Sequence, residues 1–518
     1  MKNKPGNTLF RILIVCMLIL IGLSACSSQA APTQPILAQS TLAQPIPTQP
    51  TPAQATPSSA CDYCESGKAY ADQGEFDRAI AEYDRGIQLN PNVAGTYNCR
   101  GVAYLRKGEL DRAIVDFNQA IQLDPNLAEA YASRGSAYSQ KGELERAITD
   151  CDKAILLNPK LAEAYNNRGN AYQQKGEFVR AIAEFDQAIQ LDPRLAEVYN
   201  NRGMAYADKG ELERAIADFD QAIRLDPNDA KAYTNRGNTY YDLGDLDRAL
   251  SDFDEAIKLD SKLAEAYNGR GLVYSAKGEP DRAITDYDQA IQLNPKLAEA
   301  YSNRGGAYAD LSDFERAIAD YDQAIQLEPN VAMVYSNRGS AYYDMGELER
   351  AIADLDQAIQ LDPNEAKTYS NRGFVYLRKD ELDRAIADFD KAIQLDPNNV
   401  EAHLGRGIVY GTNGDLDRAI TEFDQAIQLD PNLSEAYMTR GGIYLSMSDF
   451  DHAITDFNQA IQLDPNQAEI YLFRGAAYAR SGDNEKATTD FKRFLELSND
   501  PKLRQVAEDQ LKALGVEE

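Results

Sequence analysis

Few side chains in this 518-residue chain could carry redox or metal chemistry, and the most reactive of them lie together near its beginning. Cys61 and Cys64 form a Cys-x-x-Cys pair, and Cys99 follows in the same region. Three neighbouring thiols make a poor zinc site, because structural zinc takes four protein ligands. The chemistry left open for these thiols is disulfide formation or thiol exchange.

The other candidates for catalysis have no partners that the sequence defines. Only two histidines are present, His403 and His452, and neither belongs to a recognisable arrangement with a nucleophile. The chain contains no phosphate-binding loop and no dinucleotide-binding fingerprint. The sequence therefore predicts a protein without catalytic residues, cofactor or metal. A redox or enzymatic role centred on Cys61 and Cys64 is kept as an alternative.

The elements that must position these residues come from one unit repeated thirteen times. From Ala60 to Pro501, a 34-residue pattern recurs without insertion or deletion, with the skeleton Tyr-x2-Arg-Gly-x2-Tyr-x8-Ala-x3-aromatic-x2-Ala-x4-Pro. We number positions within each repeat so that Ala60 and Ala94 are both position 1. A unit of this size cannot bury its own apolar face, so the copies are expected to stack and share one core.

The spacing within one repeat predicts two helices. Positions 4, 7, 8 and 11 share a face of a first helix, helix A, and positions 20, 24 and 27 share a face of a second, helix B. Glycine at position 8 occurs in all thirteen copies, as at Gly203. Because glycine inside a helix costs about 1 kcal/mol relative to alanine, its presence indicates that another helix approaches closely there.

This pattern resembles the tetratricopeptide repeat (TPR) family over residues 60–501. The resemblance implies an all-α fold, a TPR α-solenoid in which thirteen antiparallel helix pairs form a superhelix. Apolar residues in the charged segment 502–518 predict a C-terminal capping helix that covers the last repeat; they are Leu503, Val506, Leu511 and Leu514.

Glycine and proline predict the turns. Position 15 is usually glycine, as at Gly210, which fits a left-handed residue at the end of helix A; Ser312, Asp380 and Ser448 replace it. Helix B ends in a Leu-Asp-Pro-Asn segment, as at Asp124 and Pro125. We expect that aspartate to be the N-cap of the next helix A and the proline to occupy its first turn.

Arginine at position 7 departs from the TPR pattern, which has leucine there. Twelve copies carry it, and position 23 is acidic in all thirteen. A partly buried guanidinium needs an acceptor, so we predict a ladder of pairs such as Arg202 with Asp218. Arg214 at position 19 is also one helical turn from Asp218. The alternative is that the position-7 arginines line the groove and bind carboxylates.

In the TPR family, positions 2, 5, 6, 9 and 12 of helix A line the concave surface. Position 6 is asparagine in two clusters, which are Asn167, Asn201, Asn235 and Asn303, Asn337, Asn371. These clusters resemble the asparagine ladder of the O-GlcNAc transferase family, which implies a site for an extended peptide backbone. The alternative is that duplication copied a residue that merely suits a solvated helix face.

The cysteines take their places on these helices. Cys61 and Cys64 lie three residues apart on the first helix A, where Cβ atoms about 5–6 Å apart are too distant for an undistorted disulfide. Cys64 and Cys99 occupy neighbouring groove positions of the first two repeats and form a candidate disulfide. The pairing among the three thiols stays open.

The N-terminus resembles a bacterial lipoprotein signal. Residues 1–26 have a basic start, an apolar stretch from Ile12 to Leu23 and a Leu-Ser-Ala-Cys lipobox ending at Cys26. The resemblance implies cleavage before Cys26, acylation (palmitate) of that cysteine and, with Ser27 following it, an outer-membrane lipoprotein facing the periplasm if the cell has two membranes. An uncleaved transmembrane anchor is the alternative. Residues 27–59 are uncharged and contain seven prolines, which predicts a disordered tether.

The net charge of -29 disfavours nucleic acid as a partner, because phosphates would be repelled. The sequence therefore predicts an exported, non-enzymatic protein–protein interaction scaffold, joined to the membrane only through its N-terminal lipid. Its partners would be proteins or extended peptide segments bound on the concave TPR surface. A pilotin-like assembly factor for an outer-membrane, pilus or secretion component is the alternative. The sequence fixes neither the partner nor the oligomeric state.

Overall fold

The computed structural model describes residues 60–516, with side chains from residue 62 onward, and every regular element in that range is an α-helix. The predicted signal peptide, tether and Cys26 lie outside the described residues. The described residues form two compact units, residues 60–279 and 280–516. The repeats lie wholly within one unit except for the seventh, which contributes one helix to each.

The first unit contains thirteen helices, which alternate between helix A and helix B of successive repeats. They are α1 (Ala60–Asp72), α2 (Phe76–Leu89), α3 (Ala94–Arg106), α4 (Leu110–Leu123), α5 (Ala128–Gln140), α6 (Leu144–Leu157), α7 (Ala162–Gln174), α8 (Phe178–Leu191), α9 (Ala196–Asp208), α10 (Leu212–Leu225), α11 (Ala230–Asp242), α12 (Leu246–Leu259) and α13 (Ala264–Ala276).

The second unit contains fourteen helices, of which the last follows the thirteenth repeat. They are α14 (Pro280–Leu293), α15 (Ala298–Asp310), α16 (Phe314–Leu327), α17 (Ala332–Asp344), α18 (Leu348–Leu361), α19 (Ala366–Arg378), α20 (Leu382–Leu395), α21 (Val400–Thr412), α22 (Leu416–Leu429), α23 (Ser434–Met447), α24 (Phe450–Leu463), α25 (Ala468–Ser481), α26 (Asn484–Leu497) and α27 (Pro501–Ala513).

Within each unit, odd-numbered helices up to α25 are helices A and even-numbered ones are helices B. Among helices of the same unit, a helix A packs most closely on helix B of its own repeat and next on helix B of the preceding one. Adjacent helices A of one unit also approach one another more closely than adjacent helices B do. The helices A therefore line the inner, concave face of each unit. The predicted all-α fold of stacked TPR-type hairpins is confirmed for these residues.

The glycine at position 8 allows helix A to pack against the aromatic ring at position 24. A Cβ atom added to Gly203 would lie 2.7 Å from Cε1 of Phe219, a side chain that is only 1 % exposed. This distance is shorter than any real carbon–carbon contact, so a side chain at position 8 would force the two helices apart. The steric reason inferred for the repeated glycine is confirmed.

The turn between helices A and B has the predicted left-handed residue. Gly210 has φ +76°, and Ser312, Asp380 and Ser448 adopt the same region with φ between 58° and 65°. Glycine adopts this conformation without the strain that a Cβ atom introduces. Three repeats therefore keep a backbone that their own residue disfavours, because packing on both sides of the turn holds it.

The prediction that the Asp-Pro segment caps the following helix A is wrong. Asp124 is the C-cap of α4, with φ -132° and ψ 95°, the extended backbone that a residue before proline prefers. Its Oδ1 accepts a hydrogen bond from the N–H of Asn126 at 2.9 Å and so closes a turn between the helices. The N-cap of α5 is Leu127, whose side chain makes no capping bond.

The C-terminal helix α27 packs on the last repeat as a cap. Leu503, Leu511 and Leu514 join the core formed by α25 and α26, and Ala507 is fully buried there. Val506, which we expected in that stripe, is 37 % exposed. The buried face follows the spacing 503, 507, 511 and 514, and Val506 lies at its edge, on the side of α27 that does not meet the last repeat.

Candidate functional site on the concave face

The arginine of position 7 lies between its own helix A and two helices B. Nε and Nη2 of Arg202 each donate a hydrogen bond of 2.7 Å to the carboxylate of Asp218 on α10. Nη1 donates to Asp186, which stands at position 25 of the preceding repeat, on α8. The predicted Arg202–Asp218 pair is confirmed, and the second carboxylate adds a bond between repeats that sequence reasoning missed.

This two-carboxylate arrangement recurs through both units. The arginines that donate to an aspartate of their own repeat and to one of the preceding repeat are Arg100, Arg202, Arg236, Arg304, Arg338, Arg372 and Arg440. The recurrence of acids at positions 23 and 25 was the available sequence signal. Each acid of an Asp-x-Asp pair serves a different arginine.

The geometry makes the arginine ladder a structural device. The Arg202 guanidinium lies 5.7 Å from the ring centre of Tyr199 and 5.8 Å from that of Tyr206, so aromatic rings flank it as well. Burial acts to lower the pKa of Arg202, but the hydrogen bonds and charges of Asp218 and Asp186 together outweigh it and raise that pKa. This guanidinium has its donors and faces occupied, so it is not available to bind the carboxylate of a ligand.

Arg214 of position 19 does not pair with Asp218, the acid one helical turn ahead of it. It donates instead to Glu211, at the N-cap of α10, and to the hydroxyl of Tyr206. Its guanidinium also lies 4.0 Å from the centre of the Tyr206 ring. The carboxylate of Asp218 faces inward toward Arg202, which explains why the neighbour on its own helix uses another acid.

Three asparagines of the first unit link adjacent helices A. Nδ2 of Asn201 and Nδ2 of Asn235 donate to the side chains of Asn166 and Asn200, each at 3.0 Å. Nδ2 of Asn167 donates to the carbonyl oxygen of Ala132 at 3.1 Å. Position 6 of one repeat therefore bonds to position 5 of the repeat before it, and one amide donor of each side chain holds the helices together.

The second cluster of asparagines occupies the same place in the second unit. Nδ2 of Asn371 donates to Oγ of Ser340 at 3.2 Å. Asn303 and Asn337 are half-buried on the same face. The structure thus brings the predicted asparagines to the concave face, where Asn371, like the three of the first unit, bonds to a neighbouring repeat. Their role as a ladder for a peptide backbone stays a prediction.

Cys64 and Cys99 lie on the concave side of the first two repeats, and both are thiols. Sγ of Cys64 is 3.0 Å from Oγ1 of Thr96. Burial, together with the proximity of Cys64, raises the pKa of the Cys99 thiol. A raised thiol pKa disfavours the reactive thiolate, which weighs against a redox site. Cys64 and Cys99 are free in this structure, so their disulfide stays a prediction, and the side chain of Cys61 lies outside the described ones.

Carboxylates at positions 2 and 13 dominate the concave faces. In the second unit they are Glu299, Asp310, Asp344, Glu401, Glu435 and Glu469. Burial raises the pKa of Asp310 and raises that of Asp344 to about 6. In the first unit, the side chain of Glu163 reaches solvent, yet crowding by protein atoms and the charge of Glu197 raise its pKa. The concave faces hold negative charge that the arginine ladder does not neutralise.

The concave face of the second unit deepens into two cavities that share Phe374. One, of about 180 Å³, is lined among others by Tyr343 and Asp344 of α17. The other, of about 520 Å³, is lined among others by Leu404 of α21 and Glu435 of α23. The sequence signal was available, since Phe374 is the one aromatic residue at position 9 in the thirteen repeats.

Two further properties concern metals and membranes. In the part of the chain that the structure describes, no three or more histidine, cysteine or acidic side chains are grouped so that they could hold a metal ion. A search of the same residues finds no helix with the length and apolar character needed to cross a bilayer.

Comparison with protein families identifies the repeats. A model described as TPR repeat matches residues 67–108, 103–142, 135–176, 203–244, 237–278, 305–346, 339–380 and 441–482. Models described as Tetratricopeptide repeat match residues 162–195, 184–217, 264–297, 366–399, 389–421 and 468–501. The chain belongs to the tetratricopeptide repeat family, and such repeats form protein–protein interaction scaffolds. No curated protein matches the chain.

One solved structure with a TM-score above 0.5 shows the same fold, and two others match at lower scores. The APC/C hetero-tetramer Cut9–Hcn1 matches with a TM-score of 0.56 and 15 % identity, over 88 % of this chain and 96 % of that one. Yeast Tom70 matches at 0.39 and 17 % identity, over 87 % and 99 %. A tetratricopeptide repeat protein from Parabacteroides merdae matches at 0.39 and 22 % identity, over 49 % and 98 %.

Proposed function

We propose that this protein is a non-enzymatic scaffold whose concave faces bind extended, basic segments of protein partners, and that a lipid on Cys26 holds it at the cell envelope. The observation that carries the proposal is the charge of the concave faces. In the described repeats, thirteen acidic residues at positions 2 and 13 stand against five lysines and arginines there, and the position-7 arginines are occupied between helices A and B.

Complementary charge favours basic partners over acidic ones. The net charge of -29 repels polyanions at long range, and the carboxylates of positions 2 and 13 add repulsion at contact. An extended segment fits the concave face because the helices A present side chains at a regular spacing from repeat to repeat. Edge strands, which bind peptides in sheet proteins, are absent from the described residues.

The anchor completes the proposal and rests on the sequence. Cleavage before Cys26 would leave residues 27–59 between the lipid and α1. A flexible chain of that length spans roughly 30 Å, and an extended polyproline-like one up to about 100 Å. The scaffold would thus search a shell next to the membrane and meet partners that are exported to the same compartment.

Site-directed photo-crosslinking in intact cells tests the binding face. A photoreactive residue at Asn238, which is exposed at position 9 of helix A, is compared with one at Val179, which is 71 % exposed on helix B. We expect mass spectrometry to identify the same few basic proteins repeatedly at the concave position and not at Val179. Crosslinks confined to the helix-B side would refute concave binding.

Metabolic labelling with an alkyne fatty acid tests the anchor. The wild-type protein should carry the label and sediment with membranes, whereas Cys26→Ala should lose the label and accumulate as precursor. Undiminished labelling of the variant would refute acylation at Cys26, and membrane retention without label would support the transmembrane alternative.

A further inference from the structure

The cavities around Phe374 contain a buried hydroxyl that lacks a partner. Tyr343 is only 9 % exposed, and its hydroxyl oxygen is buried without a hydrogen-bond partner. Arg378 lies beside the tyrosine: its Nη1 donates to the backbone oxygen of Tyr343 at 2.6 Å and its guanidinium lies 5.0 Å from the ring centre. Buried polar groups are nearly always paired, so this hydroxyl points to a missing ligand.

A second buried polar atom without a hydrogen-bond partner, a carboxylate oxygen, lines the adjoining cavity. Oε1 of Glu435 is buried without a hydrogen-bond partner. Burial raises the pKa of Glu435 to about 7, because no cation offsets the lost hydration. Burial also raises the pKa of Tyr343, and although Arg378 opposes this, the charges of Asp344 and Glu435 add to it. The cavity lined by Tyr343 and Asp344 and the cavity lined by Glu435 meet at Phe374.

The lining of the larger cavity is acidic with apolar walls. It includes one ammonium group, that of Lys367, against five carboxylates, which belong to Glu365, Asp396, Glu401, Asp430 and Glu435. Phe374, Val400, Leu404 and Leu433 supply its apolar surface. A ligand that fits must carry positive charge at one end and hydrocarbon behind it.

We propose that the pocket formed by Tyr343, Asp344, Phe374, Leu404 and Glu435 binds a lysine or arginine side chain of an extended partner segment. The cationic head pairs with Glu435 and Asp344 and donates to the Tyr343 hydroxyl, and the methylenes lie on Phe374 and Leu404. This inference rests on the proposed function, since the cation belongs to the segment that the concave face accepts.

Fluorescence anisotropy with defined peptides tests the pocket. The full-length protein in detergent is titrated into three fluorescein-labelled peptides, GSKLKLSG, GSQLQLSG and GSELELSG, at one ionic strength. We expect GSKLKLSG to bind at least about tenfold more tightly than the neutral peptide, and the acidic peptide not to bind. Spermidine serves as competitor and should displace GSKLKLSG only weakly, since it lacks the peptide backbone and side chains that contact the rest of the concave face.

Matched variants separate this pocket from general acidity. Glu435→Gln should weaken GSKLKLSG binding about tenfold because it removes the carboxylate charge, and Tyr343→Phe a few-fold because it removes the hydroxyl acceptor. The control is Glu299→Gln, which removes an exposed carboxylate charge at the same repeat position and should change the affinity less than twofold. Because Glu435→Gln removes a buried charge and keeps the shape of the side chain, its thermal unfolding should match or exceed that of the wild type.

The outcomes distinguish this pocket from the scaffold function. Equal binding of the lysine and glutamine peptides, or equal losses of affinity in Glu435→Gln and Glu299→Gln, would overturn the pocket. The scaffold function would still stand if basic proteins crosslink to the concave face in cells. Displacement by spermidine as effective as by unlabelled GSKLKLSG would overturn it in favour of a small polyamine. Tight, Glu435-dependent peptide binding without concave crosslinks in cells would refute the scaffold function and not the pocket.

Discussion

The arginine ladder allows a sharp test of how burial sets the value of an ion pair. Arg202 donates to two aspartates at once, Asp218 in its own repeat and Asp186 in the preceding one. The two acids have the same charge and the same partner but different exposure. The Asp218 side chain is 9 % exposed, whereas that of Asp186 is 54 % exposed.

The exposure difference predicts unequal losses for the two amide substitutions. Removing one partner of a buried ion pair costs about 3–5 kcal/mol, since the other charge stays behind unpaired. Arg202 keeps Asp186 and is itself 18 % exposed, so we expect about 2–3 kcal/mol for Asp218→Asn. Asp186→Asn breaks a mostly solvated contact and should cost at most about 1 kcal/mol.

Hydrogen exchange measured by mass spectrometry is the suitable assay. Repeat arrays open locally, and hydrogen exchange assigns a loss of protection to particular helices, whereas a denaturation midpoint averages that loss over the unit that unfolds together. Amide protection in α9 and α10 should fall strongly in Asp218→Asn and only slightly in Asp186→Asn. A double replacement of Arg202 and Asp218 by leucine should restore much of the protection, because neither charge is left buried alone.

Two results would refute this reasoning. Equal protection losses in the two aspartate variants would show that burial does not decide the value of these pairs. Lower protection in the double leucine variant than in Asp218→Asn would show that the pair contributes more than apolar packing of the same volume could.

Three further predictions concern packing, backbone and pH. Gly203→Ala should destabilise its repeat by about 1–3 kcal/mol, because the new Cβ meets the Phe219 ring at 2.7 Å. The control is Gly306→Ala, whose Cβ meets nothing closer than 3.9 Å and which should be neutral or stabilising in urea denaturation. Ser448→Gly should stabilise the turn after α23 by about 0.5–1 kcal/mol, because φ is +65° there; a loss of urea resistance would contradict this. Glu435 has a folded-state pKa of about 7 against about 4.3 in an unfolded chain. Its contribution to folding stability is therefore full below pH 4 and is lost as pH rises through 7. Urea midpoints should show Glu435→Gln more stable than the wild type at pH 8 and not at pH 4.

The sequence by itself determined the local structure of each repeat. The 3.6-residue spacing gave the two helices, and glycine at position 15 gave the left-handed turn, as at Gly210. The Arg202–Asp218 pair was also accessible, because both residues belong to one hairpin whose geometry the repeat pattern fixes. Where two hydrogen bonds of one side chain compete, the sequence did not show which one forms. Asp124 closes a turn with Asn126 rather than capping α5, and only the path of the backbone decides between the turn and the cap.

The tertiary structure decided everything that depends on how one repeat sits against the next. Asp186 reaches Arg202 across a boundary between repeats, and Val506 falls outside the cap stripe because of how α27 lies on α26. The pocket is the clearest case, since Phe374 of α19, Leu404 of α21 and Glu435 of α23 line one cavity only because these helices A pack side by side. The angle between stacked hairpins is set by many side-chain contacts acting together, and no single residue in the repeat determines it.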